Sequence, residues 1–251
     1  MPTEPHDRIN WFDGGGGNYA RFRPTYPPAL AAHLATLAPG RHRALDVGCG
    51  NGQLTVQLAD HFTEVVGADP SRAQIANATP HRRVTYLCAP AEDLPLPDRC
   101  ADLVTAAQAA HWFDRPAFYA EARRLGTPGA PLALISYGVL RLDDAAVQAR
   151  FARFYDDEVG AFWPPERRLV DGGYADIDFP FEELPAPDMS LEQHWTLGEF
   201  LGYVSTWSAV RRACEAGQEA MLPPFADDLT ALWGTDRRRV SWPITMRIGR
   251  L

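Results

Sequence analysis

The chain contains no lysine, because all 24 of its basic residues are arginine. This absence excludes catalysis through a lysine Schiff base and phosphate binding by a lysine. The sequence also has no basic stripe of the kind that nucleic-acid-binding proteins carry. Its longest basic run is the three arginines at 237–239, in a chain whose formal net charge is -8. We therefore expect no nucleic-acid partner.

Long apolar runs and paired cysteines are absent too. No segment approaches the roughly 20 apolar residues of a membrane span, and residues 1–7 lack the basic and then apolar pattern of a signal peptide. The four cysteines, Cys49, Cys88, Cys100 and Cys214, form no Cys-x-x-Cys pair, which disfavours a zinc site and a disulfide framework. We expect a cytoplasmic protein with reduced thiols, no membrane partner and no metal.

Strand-like and helix-like patterns alternate through the first half of the chain. Strand candidates lie at 44–47, 64–69, 84–88, 101–106 and 131–136, and helical patterns lie at 54–59, 71–78 and 116–125. This alternation is typical of a parallel sheet covered by helices on both faces. It predicts an α/β fold with a sheet of five to seven strands.

The regular alternation ends near residue 138, which indicates the domain organisation. We expect residues 1–138 to form the core with an N-terminal lid segment, and 139–215 to form a substrate-binding insertion or lid. The insertion is predicted to contain one helix from about 196 to 216. Residues 216–251 are predicted to supply a helix near 226–233 and a strand near 239–248 that complete the core sheet.

A glycine-rich segment, DVGCGNG at 46–52, follows the first strand candidate and opens the first helix. Glycine permits left-handed turns and close approach of a ligand to the backbone. A dinucleotide loop requires glycine or alanine where this chain has Gln53, and it places a phosphate where Asp46 would repel it. A carboxylate there suits a ligand with an ammonium group, such as S-adenosylmethionine. A glycine turn without a ligand is the alternative.

A second acidic residue, Asp69, ends the second strand candidate about 20 residues later in the chain. A carboxylate at this position can accept hydrogen bonds from both hydroxyls of an adenosine ribose. The alternative is that Asp69 only caps the helix that follows.

The chain resembles the class I S-adenosylmethionine-dependent methyltransferases, within them the small-molecule group that contains the trans-aconitate methyltransferases. Four segments carry the resemblance: NYARFRPTYP at 18–27, LDVGCGNG at 45–52, AEDLP at 91–95 and TAAQAAHWFD at 105–114. It implies a Rossmann-like, mostly parallel sheet of seven strands and S-adenosylmethionine as cofactor.

The resemblance also implies which residues contact the cofactor. Asp46, Gly48, Gly50 and Gln108 would surround the methionine part, Asp69 would bind the ribose, and Pro70, Ala91 and Glu92 would border the adenine. Many relatives have an aspartate before that alanine, where this chain has Pro90. Adenine recognition here therefore falls to Glu92 or to a backbone amide.

Tyr19 and Arg23 lie four residues apart, so on a helix they would share one face. Arginine matches the geometry of a carboxylate, so we expect Arg23, with Tyr19, to bind the methionine carboxylate. The glycines at 14–17 would be the hinge of a segment that closes over the cofactor. A surface helix after an unstructured tail is the alternative.

Methyl transfer depends on alignment and exclusion of water, and some substrates also need a general base. His111 follows the fourth strand candidate and is the candidate catalytic base; a purely structural role in its turn is the alternative. We expect Trp112 and Tyr137 to contact the substrate.

Phe200, Tyr203 and Trp207 recur at helical spacing, and Arg211 follows one turn later. As a pocket wall, Tyr203, Trp207 and Arg211 would bind an acid with an apolar body. Core packing is the alternative meaning of such a stripe.

These observations predict a methyltransferase that acts on a small molecule, by O-methylation of an organic acid or an acid-bearing metabolite. A natural-product methyltransferase acting on a hydroxyl or an amine is the first alternative, and a cofactor-binding regulatory protein without catalysis is the second. We expect a monomer or a homodimer.

Overall fold

The structure is a computed structural model that describes residues 24–251. Contacts divide the chain into two compact units. The core unit consists of Thr25–Val139, Glu166–Leu191 and Trp242–Leu251. The described part of the helical unit consists of Pro24, Leu140–Pro165 and Glu192–Ser241.

The described residues form nine strands and nine α-helices. The strands are β1 (Arg43–Val47), β2 (Glu64–Ala68), β3 (Val84–Leu87), β4 (Leu103–Ala107), β5 (Pro131–Tyr137), β6 (Arg141–Leu142), β7 (Glu183–Leu184), β8 (Met189–Trp195) and β9 (Arg238–Arg250). The helices are α1 (Pro28–Leu37), α2 (Gln53–Leu58), α3 (Arg72–Ala76), α4 (Arg115–Leu125), α5 (Ala145–Arg153), α6 (Arg167–Asp171), α7 (Leu197–Ser205), α8 (Ser208–Glu215) and α9 (Leu222–Trp233).

The sheet follows the strand order β3-β2-β1-β4-β5-β9-β6, and β7 and β8 pair with β9 beside this path. The pairs β1–β2, β1–β4, β2–β3 and β4–β5 are parallel, whereas β9 runs antiparallel to β5. The predicted α/β fold with a mostly parallel Rossmann-like sheet is therefore confirmed. Seven strands form the main path, and β6, β7 and β8, all paired with β9, were not predicted.

The core unit buries β1, β4 and β5 almost completely, since a parallel sheet with helices packed on it excludes water from both faces. Every residue of β5 is buried. The order of these strands changes direction at β1, whose neighbours are β2 and β4. The carboxyl ends of β1 and β4 therefore flank the crevice in which ligands of open α/β sheets bind.

The helical unit contains α5, α7, α8 and α9. Asp144 begins α5 by accepting hydrogen bonds from the backbone N–H groups of Ala146 and Val147. Phe154 stacks on Phe225 of α9 with a centroid distance of 3.8 Å. Helix α5 was not predicted, although an aspartate before an apolar periodic segment is a helix-start signal.

The single helix predicted for residues 196–216 is wrong, because the structure has two helices there, α7 and α8. The hydroxyl groups of Ser205 and Thr206 donate to carbonyls three residues earlier, at 2.7 Å each. Trp207 then adopts an extended conformation, with ψ of 140°, and precedes α8. Hydroxyl side chains that compete for backbone groups in this way favour helix ends over helix interiors.

The predicted boundaries of the insertion differ from the units. Residues 166–191 fall within the predicted insertion at 139–215, yet they belong to the core unit. The final residues of β9 also belong to the core unit, where they pair with β5. Among the described residues, no helix is long and apolar enough to cross a membrane.

Candidate functional site

The glycine loop, residues 48–52, connects β1 to α2. The backbone N–H groups of Gly48 and Cys49 both donate to the carbonyl of Ala68 at the end of β2, at 2.7 and 3.0 Å. The loop therefore bends across the end of the neighbouring strand. The N–H of Gly52 donates to the Cys49 carbonyl at 2.9 Å and closes the turn into α2.

Two positions of this loop require glycine, because their backbone is left-handed. They are Gly48, with φ of 70°, and Gly50, with φ of 56°. The surroundings of the two glycines differ. A Cβ at Gly48 would lie 2.4 Å from the Ala109 Cβ, so this glycine allows close packing. Among residues 24–251, a Cβ at Gly50 would meet only the Gln74 Oε1, at 3.9 Å, so this part of the chain leaves open space beside the backbone.

Asp46, the fourth residue of β1, is 1% exposed. Its carboxylate accepts hydrogen bonds from the hydroxyl groups of Thr55, at 2.6 Å, and Thr105, at 2.9 Å. Burial raises the pKa of Asp46 to about 6, although both threonine hydroxyls oppose the shift. The structure thus places a buried acid at the start of the glycine loop, and its contact with the cofactor ammonium group stays a prediction.

Asp69 follows β2 and binds the glycine loop to the start of the next helix. Its Oδ2 accepts from the N–H of Gly50 at 2.9 Å, and its Oδ1 accepts from the N–H of Ser71 at 2.8 Å. The side chain of Ser71, rather than that of Asp69, accepts from Gln74 N in the cap of α3. Each Asp69 oxygen has one of these bonds and keeps acceptor capacity for a further donor.

The turn after β4 lies against the glycine loop, because Gly48 packs on Ala109. Gln108 begins this turn in a left-handed conformation, with φ of 54°. Its side-chain Nε2 donates to the backbone carbonyl of Tyr137 at 2.9 Å. Tyr137 is buried, and its ring contacts Tyr26 at a centroid distance of 6.1 Å. The structure therefore brings Gln108 and Tyr137 together beside the loop.

The predicted adenine residues follow β2 and β3. Pro70 is exposed next to Asp69, and Ala91 is buried. The Glu92 Oε1 accepts from the backbone N–H of Asp114 at 2.9 Å. This bond links Glu92 to the residue that begins α4. Contacts of these three residues with adenine stay predictions.

His111 lies in the 3-10 turn Ala110–Trp112, directly after β4. Its Nδ1 is hydrogen-bonded to the hydroxyl of Tyr174 at 2.9 Å. Burial and the positive charge of Arg167 lower the His111 pKa to about 4, against a smaller opposite effect of Glu166. The imidazole is therefore neutral at pH 7. The neighbouring Trp112 is 61% exposed.

In the helical unit, Tyr203 and Trp207 belong to an aromatic cluster. We give this name to seven rings whose neighbouring centroids lie 4.9 to 6.1 Å apart. The rings are those of Phe151, Tyr155, Trp163, Trp195, Phe200, Tyr203 and Trp207. Most of them are buried, and a role of Tyr203 and Trp207 in substrate binding stays a prediction.

Arg211 does not continue the aromatic stripe. The prediction of one aromatic face required an uninterrupted helix. In the structure α7 ends before Trp207, and Arg211 belongs to the next helix, α8. Its side chain is 72% exposed and lies 3.8 Å from Glu215. The expected aromatic wall that ends in this arginine is therefore not formed on one helix face.

Two predicted cofactor residues, Tyr19 and Arg23, and the proposed hinge at 14–17 lie outside the described residues. Within the described part of the chain, no group of three or more histidine, cysteine or acidic residues is placed to hold a metal ion.

Three residues of the site were missed. Thr55 and Thr105 flank Asp46, and their positions in α2 and β4 offered a signal, since a buried carboxylate needs donors. Tyr174 lies 63 residues from His111 in the sequence. No local pattern connects Tyr174 to His111, so only the fold could reveal this contact.

Comparison with known proteins identifies relatives of this architecture. A methyltransferase domain family matches residues 45–134. A Dictyostelium discoideum protein named as a methyltransferase is 35% identical over 93% of this chain and 89% of its own length. A solved structure named as a type II methyltransferase, from Anaeromyxobacter dehalogenans, is 46% identical, with a TM-score of 0.85 over 91% of this chain and 98% of its own. A malonyl-[acyl-carrier protein] O-methyltransferase of Hahella chejuensis is 37% identical over 35% of this chain and 34% of its own.

The residues of the core unit fit S-adenosylmethionine as the ligand of the crevice. The space beside Gly50 leaves its backbone open to a ligand. Asp69 lies at the same loop with acceptor capacity for hydroxyl groups. Asp46 places a negative charge at the loop that would receive an ammonium group.

Proposed function

The chain belongs to the family of S-adenosylmethionine-dependent methyltransferases, and from this premise we propose that it methylates a carboxylate oxygen of a small organic acid. S-adenosylmethionine is the methyl donor. When bound, it supplies an electrophilic methyl group whose S–C bond breaks with the electron pair left on sulfur. The carboxylate oxygen forms the new O–C bond, and no proton is released.

We assign the binding of the cofactor to the crevice of the core unit. Asp69 accepts hydrogen bonds from the ribose while it holds the Gly50 backbone in place. Gly50 lets the methionine part approach the main chain, Gly48 lets the turn after β4 pack against the loop, and Asp46 supplies the negative charge that stabilises the ammonium group. Gln108, fixed by its bond to the Tyr137 carbonyl, borders the methionine part.

The observation that carries the choice of substrate is the environment of His111. This imidazole is held by Tyr174 and lies within the field of the Arg167 guanidinium. A histidine whose pKa is near 4 is a weak proton acceptor at pH 7. A hydroxyl or amine substrate would need a better base, whereas a carboxylate is already ionised.

Two further observations support an acidic substrate. Arg167 contributes positive charge beside His111, even though it also forms an ion pair with Asp171 at 2.8 Å. Among the relatives, the Hahella chejuensis protein is named for O-methylation of a malonyl group, which carries a carboxylate. That similarity covers only 35% of this chain, so it supports the reaction class and not the particular acid.

A labelled methyl group tests this proposal directly. The protein is incubated with S-adenosylmethionine carrying a deuterated methyl group and a panel of small organic acids, phenols and amines, and products are detected by mass spectrometry. We expect label in acids, released as methanol by mild alkali because methyl esters hydrolyse. Label that resists alkali, as in an ether or an N-methyl group, contradicts the proposal, and so does cofactor binding without turnover of any acid.

The role of Asp69 is tested by Asp69→Ala with Asp144→Ala as the matched control. Both carboxylates accept two backbone N–H groups, but Asp144 begins α5 of the helical unit. We expect Asp69→Ala to weaken cofactor binding in calorimetry by about 1–3 kcal/mol, the scale of lost hydrogen bonds to a charged group. Equal affinity of the two variants would refute the ribose assignment.

A further inference from the structure

The hydrogen bond between His111 and Tyr174 joins two distant parts of the core unit. His111 belongs to the turn after β4, and Tyr174 follows α6, which contacts that turn. The Nδ1 of His111 and the hydroxyl oxygen of Tyr174 are 2.9 Å apart. Tyr174 is completely buried, whereas His111 is only partly buried.

The backbone around Tyr174 is fixed in an unusual conformation. Tyr174 has a φ of 63° and follows Gly173, which has a φ of 62°. The N–H of Tyr174 donates to the Leu169 carbonyl at 2.8 Å, and the guanidinium of Arg247 donates to the Tyr174 carbonyl at 3.3 Å. A bulky residue in the left-handed region is a rare feature, and such outliers concentrate at functional sites. These contacts fix the position from which the phenol reaches the imidazole.

The hydroxyl group of Tyr174 has one proton to donate and an oxygen that accepts. Burial raises the pKa of this hydroxyl, against a smaller lowering effect of the His111 backbone. Among the described residues, the only hydrogen-bond partner of the hydroxyl is the His111 Nδ1. Because a buried hydroxyl proton needs an acceptor, it is donated to Nδ1.

A neutral imidazole that accepts at Nδ1 carries its own proton on Nε2. Among the described residues, the Nε2 of His111 has no hydrogen-bond partner. It is also not one of the polar atoms that are buried without a partner. It is therefore open to a ligand as an N–H donor. The lowered pKa of His111 agrees with a neutral ring at pH 7.

We propose that Tyr174 is a positioning residue that holds His111 in the Nε2–H tautomer, so that His111 donates a hydrogen bond to the substrate oxygen instead of removing a proton. The inference rests on the proposed function and specifies the substrate as one that presents an anionic oxygen acceptor. A carboxylate that gains a methyl group releases no proton, so a donor at this position suits it.

The tautomer is measured by nitrogen-15 NMR of the protein with labelled histidine at pH 7. The chain has seven histidines, and the His111 signals are assigned by their loss in His111→Gln. We expect Nε2 to be protonated and Nδ1 to be an unprotonated acceptor. An Nδ1–H tautomer or an imidazolium in the wild-type protein overturns the inference, and this result requires neither substrate nor a second variant.

Tyr174→Phe tests the positioning role, with Tyr119→Phe as the matched control. Tyr119 is also a buried tyrosine of the core unit, but its hydroxyl donates to the Asp178 carbonyl at 2.8 Å. We expect Tyr174→Phe to increase the population with a proton on Nδ1, and Tyr119→Phe to leave the His111 signals unchanged. An unchanged tautomer in Tyr174→Phe refutes the role of the phenol.

Kinetics distinguish this inference from the proposed function. For an acid substrate, we expect Tyr174→Phe to raise KM about tenfold, the effect of one hydrogen bond to a charged oxygen, with a smaller change in kcat and an unchanged cofactor affinity. A fall in kcat alone contradicts a binding role for His111. If no acid is methylated but the wild-type tautomer is Nε2–H, the substrate assignment fails while the tautomer assignment stands.

Discussion

The glycine loop of the core unit takes its shape from a short continuous segment, whereas the aromatic cluster of the helical unit collects rings from several separate segments. The loop depends on backbone conformations that only glycine adopts easily and on bonds to the strand beside it. The cluster depends on side chains of α5, α7 and the connections around them meeting in space. A motif with strict backbone requirements is visible in one sequence, but a cluster built by tertiary packing is not.

The largest expected effect separates packing from binding in the aromatic cluster. Trp207 is 6% exposed and contacts four other rings of the cluster. We expect Trp207→Ala to lower the free energy of unfolding by about 3–5 kcal/mol, as for other buried large-to-small substitutions. Chemical denaturation measures this change.

Arg211→Ala is the matched control for Trp207→Ala. The Arg211 side chain is largely exposed, and its ion pair with Glu215 is long, at 3.8 Å, so its loss should change stability by at most about 0.5 kcal/mol. A Trp207→Ala protein that keeps full stability would show that the cluster is not a packing core.

The second effect concerns close packing at the glycine loop. Gly48→Ala would place a Cβ against Ala109 in a left-handed conformation. We expect a loss of stability of about 2–4 kcal/mol from strain and overpacking together, and weaker cofactor binding. Thermal denaturation measures the loss of stability, and calorimetry measures the weaker cofactor binding.

Gly217 provides the control for Gly48→Ala. It also has a positive φ, of 70°, but no atom of the described residues lies within 4 Å of its added Cβ. Gly217→Ala should therefore cost only about 1–2 kcal/mol. Adding Ala109→Gly to Gly48→Ala should recover part of the lost stability. Equal losses in the two alanine variants would show that close packing at Gly48 is unimportant.

The smallest effect concerns the buried charge of Asp46. Because burial raises its pKa to about 6, the folded protein binds a proton more tightly than the unfolded chain. The free energy of unfolding should then fall as the pH rises from about 4 to 6. Asp46→Asn should remove this slope and stabilise the protein at pH 7.5 by about 1–3 kcal/mol, while it weakens cofactor binding. Urea denaturation across this pH range measures the slope.

Asp144→Asn is the control of opposite sign. Backbone N–H groups of Val147 and Ala146 lower the pKa of Asp144, so its charged form stabilises the folded state above the ordinary pKa of aspartate. Its substitution should reduce stability at neutral pH. If Asp46→Asn is also destabilising at pH 7.5, the two threonine bonds outweigh the burial of the charge.

The parallel sheet and the glycine loop could be predicted because each strand and the loop have local signatures: short apolar segments, a carboxylate at a strand end, and glycines at fixed spacing. The break before Trp207 was missed, because the apolar spacing continues through it while the hydroxyl bonds of Ser205 and Thr206 end the helix. Tyr174 could not be predicted, since its contact with His111 exists only once the core unit has folded.

Strand β9 has a consequence for how the protein is made. It pairs with β5 along seven residues and with β6 at Val240 and Ser241, yet it is synthesised after both. While the ribosome makes the roughly one hundred residues between β5 and β9, the nascent chain therefore exposes an unpaired and mostly apolar sheet edge at β5. Chaperones that shield such an edge during translation should therefore raise the yield of this protein. The gain should be larger than for a protein whose neighbouring strands are also neighbours in the sequence.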